Sequence, residues 1–201
     1  MIYEMIKKSI NTCAKEFCDN CDIHSNISCH FSFGQLLRFY AIVLPSFILG
    51  GIGIYNYDIS SLIIWILIIG LFFLIIEIRV LCTHCPHYKE SSDTLRCWAN
   101  YGAPKIWRYR PGPMNMIEKI TLILGFITIW GYPIIFITLI KNWVLFGGYI
   151  FSVILFFWLL RKFNCKKCMN LSCPLNCVDI QIREKFLTSN PLIYDSWKNV
   201  N

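Results

Sequence analysis

Four stretches of the chain, 39–57, 59–76, 120–140 and 143–160, are almost wholly apolar and hold no charged residue; Asp58 stands between the first two and Lys141 between the last two. A helix rises about 1.5 Å per residue and bilayer hydrocarbon is roughly 30 Å thick, so about twenty apolar residues span it. The pattern predicts two transmembrane hairpins with tight turns at Asp58 and near Lys141. Buried helices of a soluble core are rarely so long and so uncharged. Gly50, Gly51 and Gly53, and the pair Gly147–Gly148, suit close helix packing. The spans hold no histidine, which excludes a bis-histidine haem within the bilayer. They hold no acid or base either, so a proton relay lacks its parts.

The predicted fold class is therefore an all-α integral membrane protein. Its core is a four-helix transmembrane bundle in two hairpins, 39–76 and 120–160. Three polar segments, 1–38, 77–119 and 161–201, flank them. In the first, Ile2, Met5, Ile6, Ile10, Cys13 and Phe17 recur at helical spacing. That predicts a short amphipathic helix, lying on the membrane or capping the polar part. Asn190–Trp197 reads as the start of a last interfacial helix.

Composition agrees with this pattern. Hydrophobic residues make up 56% and charged residues 15% of the 201, against roughly a quarter charged in soluble domains. Net charge is +7, and every Lys and Arg except Lys141 falls in the three polar segments. With four spans those segments share one side. Positive residues gather on the cytoplasmic side, so both termini and the middle loop are expected in the cytoplasm of a cell or inner membrane. The basic residues hug the membrane ends, and no nucleic-acid partner is expected.

The eleven cysteines follow the same division. Cys13, Cys18, Cys21 and Cys29 lie in the first polar segment, Cys82, Cys85 and Cys97 in the second, and Cys165, Cys168, Cys173 and Cys177 in the third. A reducing cytosol disfavours disulfides, so dense cysteines there point to metal ligation. Segments near 40 residues rarely fold alone, and metal sites would supply the missing stability. C-x2-C puts two sulfurs on one tight turn, able to reach one metal or cluster. The first and third sets each offer four cysteines, and the middle set needs a further donor, His84 or His87. Eleven cysteines and His84 would make three four-ligand sites.

Cys85-Pro86 and Cys173-Pro174 favour iron–sulfur, most simply 4Fe-4S clusters, with zinc as the alternative. Pro45 and Pro133, and the strings Arg79-x2-Cys82-x2-Cys85 and Arg161-x3-Cys165-x2-Cys168, suggest two related halves. They would form a two-fold parallel repeat, with one site shared beneath the bundle as an alternative to separate sites. Lys105, Arg108 and Arg110, in a loop rich in Pro and Gly, form a cationic patch suited to lipid headgroups or an anionic substrate.

The general form resembles polytopic membrane proteins with cytoplasmic iron–sulfur ligands in respiratory chains, a likeness of architecture alone. Three functions are expected. The first is electron transfer from a soluble redox donor to a membrane partner or quinone-like acceptor, and the second is a zinc-stabilised scaffold. The third is an iron–sulfur enzyme holding an anionic substrate.

Overall fold

A computed structural model describes residues 8–18 and 21–198. It is helical, with no strand among these residues beyond two isolated bridges. The first hairpin is α1 (Phe33–Tyr55) and α2 (Ile59–Leu71), the latter continuing through a π-helical turn, Phe72–Ile76, into α3 (Glu77–Val80). The second is α4 (Met116–Leu139) and α5 (Trp143–Phe163). All four rods are long and apolar enough to cross a membrane. They overrun the predicted spans at the cysteine end, so Arg38, Glu77, Arg79, Arg161 and Lys162 are helical.

The capping chemistry is local and explicit. Asp58 accepts from Ser61 N to start α2, and Asn142 accepts from Leu145 N to start α5. Asn115 and Glu118 form a reciprocal capping box on α4, which satisfies amides that have no partner within the helix.

The first helix of each hairpin, α1 and α4, carries a proline in mid-helix, and a proline cannot donate to the carbonyl four residues earlier. Pro133 thereby frees the carbonyl of Ile129. The indole of Trp65 on α2 donates to it at 2.9 Å, and Tyr149 on α5 donates to the neighbouring Trp130 carbonyl at 2.7 Å. Both side chains are buried. A sequence irregularity in α4 thus becomes two polar ties inside an apolar bundle. Glycines let the rods approach: a β-carbon at Gly53 would collide with Ile137, and one at Gly125 with the Phe72 ring.

The two hairpins pack differently. α1 packs closely along α5, while the corresponding pair, α4 and α2, touch less. The repeat is sharper where the helices end. Leu81 (φ −114°, ψ −54°) and Asn164 (φ −106°, ψ −51°) each lead into a 3-10 turn, Cys82–His84 and Cys165–Lys167. Each turn ends on an extended cysteine, Cys85 (φ −83°, ψ 136°) or Cys168 (φ −77°, ψ 126°).

The three polar segments interlock at one end of the bundle. Ile10, Ile23 and Ile27 pack with Met169, Leu171, Phe186 and Ile193 in a second apolar core. Its walls include α6 (Ile180–Thr188) and α7 (Pro191–Lys198), the latter where a last helix was expected. Thr12 donates to buried Asn190, Ala14 N to Ser189 O, Ser28 N to Lys167 O, and Asn170 to Leu81 O. Segments too short to fold alone are thus one body.

The N-terminal amphipathic helix is a correction in part. Ile2, Met5 and Ile6 lie outside the described residues. Ile10, Cys13 and Phe17 belong to a loop closed by a Lys8–Phe17 bridge. Ser9 N donates to Glu16 O, and Ala14 N is taken by α6's end, so no helical ladder forms there.

Candidate functional site

The first cysteine set closes around a small pocket. Cys13, Cys18, Cys21 and Cys29 line it with Ile10, Ile23 and Phe186, and it encloses about 20 Å³. Cys18 Sγ lies 3.4 Å from His30 Nε2. Burial, helped by the nearby sulfurs of Cys18, Cys21 and Cys13, pushes the Cys29 thiol up to about 12. The protein alone holds this thiol protonated, and a bound cation inverts that preference.

The second and third sets meet in one cavity. Cys82, Cys85 and Cys97 line it together with Cys165, Cys168 and Cys173, around a volume of about 120 Å³. Cys177 stands beside it, its amide bonded to the Cys165 carbonyl and its sulfur 3.3 Å from Arg161 Nε. Each C-x2-C pair sits on one of the two matched turns, and both pairs line this one cavity. Above the sulfurs the cavity is walled by Phe39, Phe126, Trp130, Phe156 and Phe157. It therefore runs from the polar segments into the bundle, where Trp130 stacks on Phe156 at 5.4 Å.

Burial raises the thiols of Cys85, Cys97 and Cys168, and takes Cys173 up to about 11. For Cys168 the charges of Cys85 and Cys173 add to this, an electrostatic tie between the second and third sets. Opposing it are backbone amides. His87 N favours an ionised Cys85, Asn170 N an ionised Cys168, and Leu175 and Asn176 N an ionised Cys173. Asn100 N donates to Cys97 Sγ at 3.2 Å, and its side-chain amide to Cys82 Sγ at 3.3 Å. Burial outweighs these donors, so the thiols stay protonated in the protein alone, while the donors offset part of the cost of an ionised sulfur.

The remaining expected residues are placed differently. His84 does not line the cavity: its Nδ1 donates to Gly112 O at 2.7 Å, and its Nε2 lies 3.3 Å from Glu118 Oε2. His87 does line it and is only 6% exposed. Burial, then the positive charge of His30 and Lys105, pushes His87 down to about 4, so it is neutral and able to ligate. The basic patch is largely spent internally. Arg110 bonds Glu118, with Arg79 at 3.8 Å from the same carboxylate. Lys105 donates to Glu90 O at 2.7 Å, leaving Arg108 exposed.

Glu77 was missed. It closes the π-helical turn, lines the cavity and is 5% exposed. Its signal in the sequence is an acid directly after an uncharged span and five residues before Cys82.

Among the described residues no three His, Cys, Asp or Glu side chains converge tightly enough to hold a metal ion. Tetrahedral zinc at 2.3 Å from each sulfur needs sulfurs about 3.8 Å apart. The thiols of the second and third sets feel one another's charge without converging to that distance. Comparison with protein-family models, curated proteins and solved structures gives no match.

Proposed function

We propose that this chain is a membrane-embedded iron–sulfur protein that passes electrons between a cytoplasmic donor and a membrane partner or quinone-like acceptor. The observation that carries this reading is the single cavity where two cysteine sets, lined by amide donors, open into an aromatic bundle interior. Cys82, Cys85 and Cys97 would hold one cluster, and Cys165, Cys168, Cys173 and Cys177 another. A bound cluster supplies reversible one-electron uptake.

The chain's residues set the conditions for that chemistry. The apolar walls exclude water, and donors from Asn100 and Arg161 favour the state in which the ligand sulfurs bear more charge. The aromatic wall of Phe126, Trp130 and Phe156 suits a flat apolar ring arriving from the bilayer. Exposed Arg108 and Lys166 suit an acidic donor on the cytoplasmic face.

Zinc stabilisation retains one favourable observation, in the first set alone. Four cysteines around about 20 Å³ suit a single ion that ties the N-terminal segment to α6.

The test is spectroscopic. Protein purified without oxygen and placed in liposomes is reduced with dithionite, then given a short-chain quinone. Broad visible absorbance that bleaches and then recovers supports the reading. A colourless protein, or a spectrum that ignores both reagents, contradicts it.

A further inference from the structure

The middle cysteine set has three sulfurs, and the structure brings a different fourth donor to it than either histidine. Glu77 lies on the cavity wall with Cys82, Cys85 and Cys97, and 95% of its surface is covered. Its Oε2 is buried with no hydrogen-bond partner among the described residues. Among the described residues no cation pairs with it: the ion pairs formed by Arg79 and Arg110 go to Glu118.

Among the described residues Asn100 is the one side-chain donor to this carboxylate, and a buried carboxylate oxygen left without a donor of its own is costly, by several kcal/mol when ionised. Natural chains keep such a group where a ligand completes it. Its placement is also specific. The helix widens into a π turn over Phe72–Ile76, the kind of local insertion that re-aims a side chain at functional sites, and Glu77 follows immediately. Asn100 then links the two donor types: its side-chain amide faces the Glu77 carboxylate and donates to Cys82 Sγ at 3.3 Å. That fixes sulfur and oxygen on one amide.

Resting on the iron–sulfur reading above, we infer that Glu77 is the fourth ligand of the middle site, giving one cluster of three thiolates and a carboxylate beside an all-cysteine cluster. Iron accepts carboxylate as well as thiolate, and the Glu77 oxygen supplies the negative charge that a fourth cysteine would. His87 remains a neutral neighbour on the same wall.

The full chain is purified without oxygen as wild type, Glu77→Gln and Glu77→Cys. Iron and acid-labile sulfide are measured, and Mössbauer and electron paramagnetic resonance spectra are recorded. The wild type is expected to show one iron site with oxygen ligation. Glu77→Gln should lose one iron of the middle cluster and give the spectrum of a three-iron species when oxidised. Glu77→Cys should restore the iron and convert the distinct site to sulfur ligation, which decides the matter even where the Gln variant fails to fold. Full iron with an unaltered spectrum in both variants overturns the assignment of Glu77 and leaves the iron–sulfur reading standing. A wild type without iron overturns both.

Discussion

The first cysteine set and the shared cavity use the same residue type at similar spacing, yet they are built differently. The first closes about 20 Å³ with cysteines that are all partly exposed, and its walls come from loops and from α6. The shared cavity encloses about 120 Å³, with Cys82, Cys85 and Cys165 buried and its walls running up into α1, α4 and α5. One set staples a short segment to the rest of the polar body. The other hangs from the ends of two membrane helices, so anything bound there is held by the bundle and reachable from it. Spacing nominates ligands in both places, and only the surroundings tell the two apart.

Breaking the shared cavity should have the largest effect. Cys168, tied electrostatically to both Cys85 and Cys173, sits between the two sets. Cys168→Ser should remove about half of the visible absorbance of anaerobically purified protein, while Cys21→Ser leaves it nearly intact and removes metal only from the first set. Metal analysis beside the absorbance spectrum checks this, and equal bleaching by both variants would erase the distinction.

A smaller effect is expected from a tie far from either cysteine group. Trp65→Phe leaves the Ile129 carbonyl, already deprived of a partner by Pro133, with no donor. A buried acceptor left unpaired costs about 1–3 kcal/mol. Denaturation in detergent should register that loss with no change in the visible spectrum. A spectral change would mean the bundle and the cavity are less separable than described.

The smallest effect is expected at Tyr109, whose buried hydroxyl has no hydrogen-bond partner among the described residues. Tyr109→Phe should be neutral or stabilising by up to about 1 kcal/mol. Burial, then the charge of Cys85, raises the Tyr109 hydroxyl above its ordinary value near 10. The folded state therefore prefers the neutral phenol. Its contribution is intact below pH 10 and is lost as pH rises beyond that, because the unfolded phenol ionises first. Unfolding measured from pH 8 to 11 should show the wild type losing ground to the variant only at the alkaline end.

The sequence pattern made the bundle legible because hydrocarbon imposes a length and forbids charge, and both are visible residue by residue. The gathering of cysteines at one end followed from the same count of spans. The matched turns were legible as twin C-x2-C strings, since the local hydrogen bonds of Cys82–His84 and Cys165–Lys167 lie within those few residues. Partners distant in sequence were not legible. Spacing treats His84 and His87 alike, but Gly112 and Glu118 take the first while burial beside Cys85 and Cys97 leaves the second on the cavity wall. Arg110 looked free for an anion because its partner Glu118 lies eight residues on in another element, where it both caps α4 and bonds the guanidinium. The periodicity of Ile10, Cys13 and Phe17 belongs to a loop in which Ile10 is buried and Phe17 exposed, and whose Ala14 amide bonds the Ser189 carbonyl at the end of α6. Glu77 stood at a span's edge, where an acid ordinarily marks the water boundary, and the π turn carries it inward instead.

The most direct test of the central claim is the ratio of iron to acid-labile sulfide to protein after anaerobic purification of the full chain. The account predicts iron and sulfide in near-equal amounts, enough for the middle and C-terminal sets together, and reduced by about half in a Cys165→Ser/Cys173→Ser variant. Protein that contains zinc alone, or neither iron nor sulfide, contradicts it.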